Sequence, residues 1–302
     1  MTPNYHQPVM LTECIEGLNI RPEGTYVDVT FGGGGHSRAI MEQLNQDGQL
    51  VAFDQDADAL DNSIDDPRFT LLHENFRHLK SFLRLHGIRR IDGLLADLGV
   101  SSHQFDEGSR GFSTRTDGPL DLRMDQRQEL SAKELVNSSE ESELSRILRL
   151  YGELPNAAQM ARAICAARRE KTIETTFELR AAVSRHLPKG YENKYLAMLF
   201  QALRIEVNGE LEALRQMLQQ ASEVLTEGGR LVVMSYHSLE DRLVKNFIKA
   251  GNFEGHQEKD FYGNVIAPLR AVSRKAIMPS EAELQRNPRS RSAKLRIAER
   301  TK

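Results

Sequence analysis

The sequence predicts an α/β protein with a mostly parallel sheet, helices on both faces of the sheet, and an all-helical insertion. Short apolar runs alternate with helical patterns up to about residue 113, and this alternation is typical of a parallel sheet with right-handed crossovers. Residues 114–206 then contain hardly a strand-like run, and the alternation resumes at residue 207. We therefore expect a sheet domain made of 1–113 and 207–302, interrupted by a helical domain.

The expected strands are short apolar runs, and the early ones are each followed by a helical pattern. The first four are 25–31, 49–54, 69–76 and 91–99. A fifth strand, 230–236, follows a helix that Gly228 and Gly229 are expected to end. Residues 293–300 alternate apolar and polar side chains, which favours a late antiparallel strand.

Capping signals predict where two helices of the insertion begin. Ser138 precedes Glu141 by three residues, and Thr175 precedes Glu178 by the same spacing. Serine or threonine followed three residues later by glutamate is the pattern of a capping box. We therefore expect a helix after each of these two hydroxyl residues.

Composition indicates an ordinary globular protein and limits its partners. The 302 residues are 39% hydrophobic and 27% charged, with a net charge of −3. Any nucleic-acid contact would therefore come from a local basic patch. Cys14 and Cys165 are far apart, so we expect neither a disulfide framework nor a metal site. The sequence shows no signal-peptide pattern and no membrane span, which predicts a cytoplasmic location.

Four consecutive glycines, 32–35, follow the first expected strand. Ligands of open α/β sheets bind at the carboxyl ends of the strands, where glycine allows close backbone approach. The dinucleotide pattern G-x-G-x-x-G fails, because its third glycine would fall on Ser37 or Arg38. This spacing argues against an NAD-dependent oxidoreductase, which remains an alternative interpretation.

Residues at three further strand ends suit S-adenosylmethionine. Asp54 is placed to bind ribose hydroxyls, Phe76 to flank an adenine, and Asp97 to stand beside a reactive methyl group. Taken singly, the two aspartates could be solvated strand-end or capping residues, and the phenylalanine could be part of the core. Four consecutive strand ends with fitting chemistry favour the methyl donor.

Motifs along almost the whole chain closely resemble one family, the bacterial ribosomal RNA small subunit methyltransferase H family. They occur in order from near the first residue to near the last. The motifs are HQPVML (6–11), FGGGGHS (31–37), DLGVSS (97–102), RGFS (110–113), DGPLDLRMD (117–125), YGE (151–153), ALRIEVNGEL (202–211), YHSLEDR (236–242) and NPRSRSAKLRIAER (287–300).

The resemblance implies a Rossmann-like class I methyltransferase core that carries a helical insertion. It also implies an enzyme that uses S-adenosylmethionine, releases S-adenosylhomocysteine and methylates N4 of a cytidine in the decoding centre of 16S rRNA. The small ribosomal subunit is then the partner, and the assembled particle is the expected substrate. The donor-binding residues that the resemblance implies are Gly34, Gly35, His36, Asp54, Phe76, Asp97 and Gln104.

Methylation of a cytosine amine needs a hydrogen-bond acceptor near the nitrogen. Asp97 is the first candidate for this catalytic role, although it could serve in donor binding only; Ser101 and Ser102 are weaker candidates. The segment DLGVSS lacks the D-P-P-Y pattern of many amino-methyltransferases. An aromatic residue from elsewhere in the chain must therefore stack on the base. Candidates for this role are Phe105, Phe112 and Tyr236. Covalent C5 chemistry is disfavoured, because neither cysteine lies at a strand end.

Candidate RNA contacts lie in the last two motifs. His237, Arg289, Arg291 and Lys294 could face the RNA. Alternatively, the four are ordinary surface or core residues, with Ser238 and Asp241 capping a helix. Arginines of the insertion offer a second basic surface; these are Arg162, Arg168 and Arg169. A non-catalytic ribosome-binding protein, and either a monomer or a homodimer, are compatible with these patterns.

Overall fold

The computed structural model describes residues 8–301, and its framework is a seven-stranded sheet. The first two residues of the HQPVML motif lie outside this range. The strands are β1 (Thr25–Asp28), β2 (Gln49–Asp54), β3 (Phe69–His73), β4 (Ile91–Asp97), β5 (Leu225–Ser235), β6 (Leu269–Ala271) and β7 (Lys294–Arg300). The predicted α/β class is confirmed.

The strand order is β3-β2-β1-β4-β5-β7-β6. The first five strands are parallel, whereas β7 runs antiparallel to both β5 and β6, as the alternation in 293–300 predicts. The chain adds β2 and β3 on one side of β1 and then β4 and β5 on its other side. The strand order therefore reverses beside β1. Ligands of open α/β sheets bind at such a reversal, near the carboxyl ends of the strands.

Helices cover the sheet, fill a separate helical unit, and are connected by short 3-10 turns. They are α1 (Leu11–Leu18), α2 (Gly35–Met41), α3 (Leu79–Leu85), α4 (Ser102–Asp106), α5 (Ala132–Ser138), α6 (Glu141–Leu150), α7 (Ala157–Glu170), α8 (Thr176–Val183), α9 (Glu192–Asn208), α10 (Glu210–Val224), α11 (Ser238–Ala250) and α12 (Glu281–Arg286).

The sheet unit comprises residues 8–99 and 211–301. Helices α3, α10 and α11 pack on one face of the sheet, against side chains such as Val27 and Leu94. Helices α1 and α2 pack on the opposite face, against neighbours of those residues such as Tyr26 and Leu95. Since both faces are covered, most residues of β1, β2 and β4 are buried, which explains their continuous apolar runs.

The helical unit comprises residues 100–210 and has its own core, built by α5 to α9. It begins earlier than residue 114, where the strand-like pattern stops. Phe112, Leu120 and Leu122 precede α5 in irregular chain, yet all three are buried in the helical core. Periodicity does not reveal such segments, because they bury apolar side chains without regular spacing.

Two predicted helix boundaries are wrong. Gly228 and Gly229 do not end α10, which stops at Val224; they lie inside β5, where the pairing with β4 shifts register. Ser138 does not cap α6 either, because it is the last residue of α5 and its hydroxyl donates to the Glu134 carbonyl at 2.6 Å.

The capping box predicted at Thr175 is correct. Thr175 caps α8 through its Oγ1 atom, and Glu178 completes the capping box. Over residues 8–301, no helix combines the length and the apolar character needed to cross a bilayer.

Candidate active site

The glycine run forms a tight turn between β1 and α2. The Gly34 amide donates to the Phe31 carbonyl at 2.8 Å, and Gly34 has a left-handed φ of 74°. A Cβ on Gly34 would lie 2.8 Å from the Phe31 ring, and one on Gly35 would lie 2.2 Å from Pro8. Gly32, at φ 51°, has no atom within 4 Å of its Cβ position. The last two glycines therefore allow the turn to pack, and the first has open space at its Cβ position.

Asp54 ends β2 and is bound to this turn. Its Oδ2 accepts from the Gly32 amide at 2.7 Å, and its Oδ1 accepts from the Asp56 amide at 2.9 Å. The pKa of Asp54 is raised to about 6, mainly by burial and also by the charges of Asp56 and Asp28, while the two hydrogen bonds act in the opposite direction. The carboxylate thus favours a compensating positive charge or hydroxyl donors nearby.

Asp97 ends β4 on the other side of β1. Its amide donates to Thr30 Oγ1 at 2.7 Å, and its Oδ1 accepts from the Tyr236 hydroxyl at 2.7 Å. The pKa of Asp97 is raised to about 6, mainly by burial, and this value includes the lowering effects of His36 and of the Tyr236 hydrogen bond. The carboxylate is therefore held in a fixed orientation at the reversal of the strand order.

His36, in the first turn of α2, has a fixed ring orientation. Its Nε2 lies 3.1 Å from the Val9 carbonyl oxygen, and its Nδ1 lies 3.9 Å from Asp97 Oδ2. Because a carbonyl oxygen can only accept, Nε2 carries a hydrogen. Nδ1 consequently faces the Asp97 carboxylate.

Phe76 lies beyond the end of β3, although the sequence placed it on the strand. The strand ends at His73, and Phe76 begins a short 3-10 helix. Asn75 Nδ2 donates to Gln55 Oε1 at 2.5 Å, so the loop that carries Phe76 is joined to the residue after Asp54. The half-buried ring packs on the α3 side of the sheet.

Asp28 belongs to the same cluster and was not predicted. Only 1% of it is exposed, and its carboxylate accepts from Ser37 Oγ at 2.7 Å and from the Thr30 amide at 3.0 Å. Burial raises the pKa of Asp28 as well. A charged residue inside the apolar run TYVDVTF was the available signal, because buried carboxylates are rare without a specific partner.

The structure thus brings the glycine loop, His36, Asp54 and Asp97 together at the carboxyl ends of β1, β2 and β4. Gln104 belongs to the helical unit. There its buried side chain completes a capping box on α4, with Oε1 accepting from the Ser101 amide at 3.1 Å. A role for Gln104 in donor binding stays a prediction.

The candidate stacking residues differ in their surroundings. Phe112 is 4% exposed and belongs to the helical core, which argues against a stacking contact with a base. Phe105 is 42% exposed. Ser101 caps α4 through its Oγ, while the side chain of Ser102 lies outside the described part of the chain.

The candidate RNA residues fall into two groups. His237 caps α11 together with Glu240, in place of the predicted Ser238 and Asp241. Its side chain is only 8% exposed. Its RNA contact stays a prediction, because a buried cap explains its position equally well.

The basic residues near the carboxyl terminus are more accessible. Arg289 and Arg291 are exposed in the turn before β7. Lys294 is partly exposed, and its Nζ lies 3.5 Å from Asp241 Oδ2. Arg296 pairs with the same carboxylate at 2.7 Å. Their exposure makes the two arginines of the turn the better candidates for phosphate contacts.

The charges of the site suit S-adenosylmethionine. Asp28, Asp54 and Asp97 are largely buried near one another, and each has a raised pKa. A ligand with sulfonium and ammonium groups would offset this concentration of negative charge. Beside Asp54, the space into which a Cβ of Gly32 would point is empty.

Comparison with known proteins gives consistent matches. The model of the MraW methylase family matches residues 4–301. Ribosomal RNA small subunit methyltransferase H of Flavobacterium johnsoniae is 55% identical over 299 residues, which cover 99% of each chain. The protein of the same name from Bacteroides thetaiotaomicron is 56% identical and covers 98% of this chain and 97% of its own. Among solved structures, an rRNA methylase from Streptococcus thermophilus aligns over 97% of this chain and 94% of its own, with 13% identity and a TM-score of 0.41.

Proposed function

Because the chain belongs to the MraW methylase family, we propose that it methylates N4 of a cytidine in 16S rRNA, using S-adenosylmethionine. The sheet unit is the Rossmann-like class I methyltransferase core that the sequence predicts. The observation that supports the proposal most directly is the position of Asp97, a partly buried carboxylate at the strand-order reversal beside the glycine loop.

The residues of the sheet unit divide between donor binding and chemistry. When bound, S-adenosylmethionine supplies an electrophilic methyl group on a sulfonium. Gly34 and Gly35 shape the loop, Asp54 offers its remaining lone pairs to ribose hydroxyls, and Phe76 provides an apolar wall for the adenine. These assignments agree with the chemistry of each side chain.

Asp97 serves the target amine. The lone pair of the cytosine amine is delocalised into the ring, so the nitrogen is a poor nucleophile. Asp97 accepts a hydrogen bond from the amine, which returns electron density to nitrogen, and takes one proton once the nitrogen–carbon bond has formed. Positioning of the amine in line with the methyl group supplies much of the remaining acceleration.

RNA recognition involves surfaces outside the donor loop. Exposed Arg289 and Arg291 suit phosphate oxygens of the RNA. The helical unit, with exposed arginines on α7 such as Arg162, offers a further basic surface. A base embedded in a folded site must be unstacked before it can react, which favours the assembled small subunit in the cytoplasm as the substrate.

The proposal is tested with small ribosomal subunits purified from cells that lack this protein. The subunits are incubated with the enzyme and S-adenosylmethionine that carries a labelled methyl group, and the RNA is digested to nucleosides. We expect label in N4-methylcytidine at one decoding-centre position. Naked 16S rRNA, tested in parallel, should accept far less label.

Other results separate the alternatives. Label in a different nucleoside would support methyltransferase activity but contradict N4 of cytidine as the methylated atom. Efficient labelling of naked RNA would contradict the preference for assembled subunits. Measurable donor binding without any label in either RNA would favour a non-catalytic ribosome-binding protein.

A further inference from the structure

Tyr236 makes a contact with Asp97 that donor binding and methyl transfer, as described above, leave unexplained. It follows β5 directly, and β5 pairs with β4 so that Asp97 lies opposite Met234. The two residues therefore reach the same edge of the sheet. The Tyr236 hydroxyl lies 2.7 Å from Asp97 Oδ1, which is the length of a charge-assisted hydrogen bond.

The backbone of Tyr236 is held in place by α11. Its amide donates to Glu240 Oε2 at 2.9 Å, and the next amide, that of His237, donates to the same oxygen at 3.3 Å. Glu240 is only 3% exposed. The capping box of α11 therefore fixes the direction in which the tyrosine ring leaves the chain.

The ring fits closely against the loop after β4. Gly99 has a φ of 99°, and a Cβ there would lie 3.4 Å from the Tyr236 ring. Burial and the neighbouring Asp97 charge raise the pKa of the Tyr236 phenol well above its usual value. The hydroxyl consequently remains a hydrogen donor over the whole pH range in which the enzyme can be assayed.

The two oxygens of Asp97 therefore differ. Oδ1 accepts the hydrogen bond from Tyr236, whereas Oδ2 faces His36 Nδ1 at 3.9 Å, beyond hydrogen-bonding distance. Because His36 Nε2 is directed at the Val9 carbonyl, the imidazole cannot turn to approach Oδ2 without losing that contact. Oδ2 retains accepting capacity for a group that enters the site.

We infer that Tyr236 is a positioning residue for methyl transfer, which orients Asp97 so that Oδ2 accepts from the target amine. The inference rests on the proposed function, in which Asp97 serves that amine. Tyr236 itself touches neither amine nor methyl group. It acts by fixing the carboxylate and by favouring its ionised form.

The groups that act on the charge of Asp97 come from several elements. His36 on α2 and Tyr236 after β5 favour the ionised carboxylate, whereas Asp28 on β1 and Glu240 on α11 disfavour it. Removal of the tyrosine hydroxyl deletes one of the two favourable contributions. The carboxylate should then bind its proton at higher pH.

The test uses Tyr236→Phe in the full-length enzyme with small subunits as substrate. A charge-assisted hydrogen bond is worth enough to change the rate about 10- to 100-fold, so we expect kcat to fall by that order. The affinity for S-adenosylmethionine should change little. In a plot of kcat against pH, the acidic limb should move to higher pH. Raising the pH should therefore recover part of the lost rate.

Tyr26→Phe is the matched control. Tyr26 is a buried tyrosine of the same sheet unit, and its hydroxyl accepts from the Arg21 amide at 2.7 Å, away from Asp97. The control variant also loses a tyrosine hydroxyl, and both its kcat and the acidic limb of its kcat against pH should be unchanged. A purely structural role for Tyr236 predicts that both variants behave alike.

A double-variant cycle with Asp97→Asn separates this inference from the proposed function. If Tyr236 acts through Asp97, then Tyr236→Phe should not lower the residual rate of Asp97→Asn any further. Full turnover by Asp97→Asn would contradict the role of Asp97 itself. A folded Tyr236→Phe enzyme with unchanged kcat and pH limb, beside an inactive Asp97→Asn, would overturn the inference alone.

Should Tyr236→Phe fail to fold, Gly99→Ala provides the second variant. Its Cβ would lie 3.4 Å from the Tyr236 ring and would strain a left-handed residue, while leaving every hydrogen-bonding group in place. The inference predicts a lower kcat and the same shift of the acidic limb. An unchanged limb in folded Gly99→Ala would contradict it.

Discussion

At the residue scale, three aspartates dominate the site. They serve ligand binding, and their charges lower the stability of the empty site. Asp28, Asp54 and Asp97 are buried or nearly so, and each binds its proton more readily than an aspartate in water. Groups with raised pKa values in a cleft commonly mark functional sites. This concentration of negative charge is costly for the empty site and becomes favourable when a cationic ligand binds.

Asp97→Asn should lower the rate of methyl transfer to a small residual value and stabilise the fold at pH 7.5. The raised pKa of about 6 means that the contribution of Asp97 to stability is fully present below pH 3.8 and is lost as the pH rises through 6. The variant avoids this loss, so its free energy of unfolding should exceed that of the wild type by about 1–2 kcal/mol, discounting for partial solvent screening.

Denaturant unfolding at pH 7.5 and pH 4.5 measures this difference. We expect the stability advantage of Asp97→Asn to shrink at the lower pH, where the wild-type carboxyl is protonated. A variant that is less stable than the wild type at pH 7.5 would contradict the assigned cost of the buried charge.

The pH dependence of activity should follow the same carboxyls. Asp54 and Asp97 both have a pKa of about 6 in the unliganded enzyme, and kcat/KM reports ionisations of the free enzyme. Since the ionised forms bind the donor and the amine, kcat/KM should decline below pH 6, with a limb steeper than a single ionisation gives. A flat profile down to pH 5, with the protein still folded, would argue against both assignments.

At the element scale, the site depends on where strands end and how the first loop turns. Parallel strands β1, β2 and β4 deliver their last residues to one edge of the sheet, so short motifs far apart in sequence converge. The turn at 32–35 is the least tolerant part, since it combines left-handed backbone with close packing.

Gly34→Ala tests the turn. The left-handed φ alone should cost about 1–2 kcal/mol of stability, and the new Cβ would also meet the Phe31 ring at 2.8 Å. We expect a further loss of stability and an affinity for S-adenosylmethionine reduced by roughly tenfold or more, since the loop must shift.

Gly87→Ala is the matched control, because Gly87 has a φ of 76° and no atom within 4 Å of its Cβ position. It should show the backbone cost without loss of donor affinity, as measured by calorimetry. Equal donor affinity in both variants would indicate that the exact packing of the turn is unimportant for binding.

At the scale of the whole molecule, a chain with net charge −3 must attract RNA through local surfaces. Arg289 and Arg291 are exposed in a turn next to β7. Each arginine that neutralises a phosphate adds close to one unit to the slope of log affinity against log salt.

Replacement of both arginines by alanine should therefore lower that slope by about 2, with donor affinity unchanged. Binding to small subunits is measured at several salt concentrations. Lys245 and Lys249, both exposed on α11, provide the control pair with the same loss of charge. If both pairs lower the slope equally, general charge rather than the turn before β7 would explain binding.

The sequence by itself determined the α/β class, the strand ends that carry Asp54 and Asp97, and the family. These features are local: apolar runs, glycines and short motifs retain their meaning wherever the chain folds. The resemblance to the family added Gln104 as a predicted donor-binding residue, which does not lie at a strand end.

Only the tertiary structure decided which side chains act on one another. Tyr236 and Asp97 are 139 positions apart, and their hydrogen bond exists because β5 pairs with β4 in a particular register. Phe112 has an aromatic ring of the kind that stacks on bases, yet it is buried in the core of the helical unit. Register, burial and raised pKa values depend on non-local packing, which is why a linear pattern of residue types does not contain them.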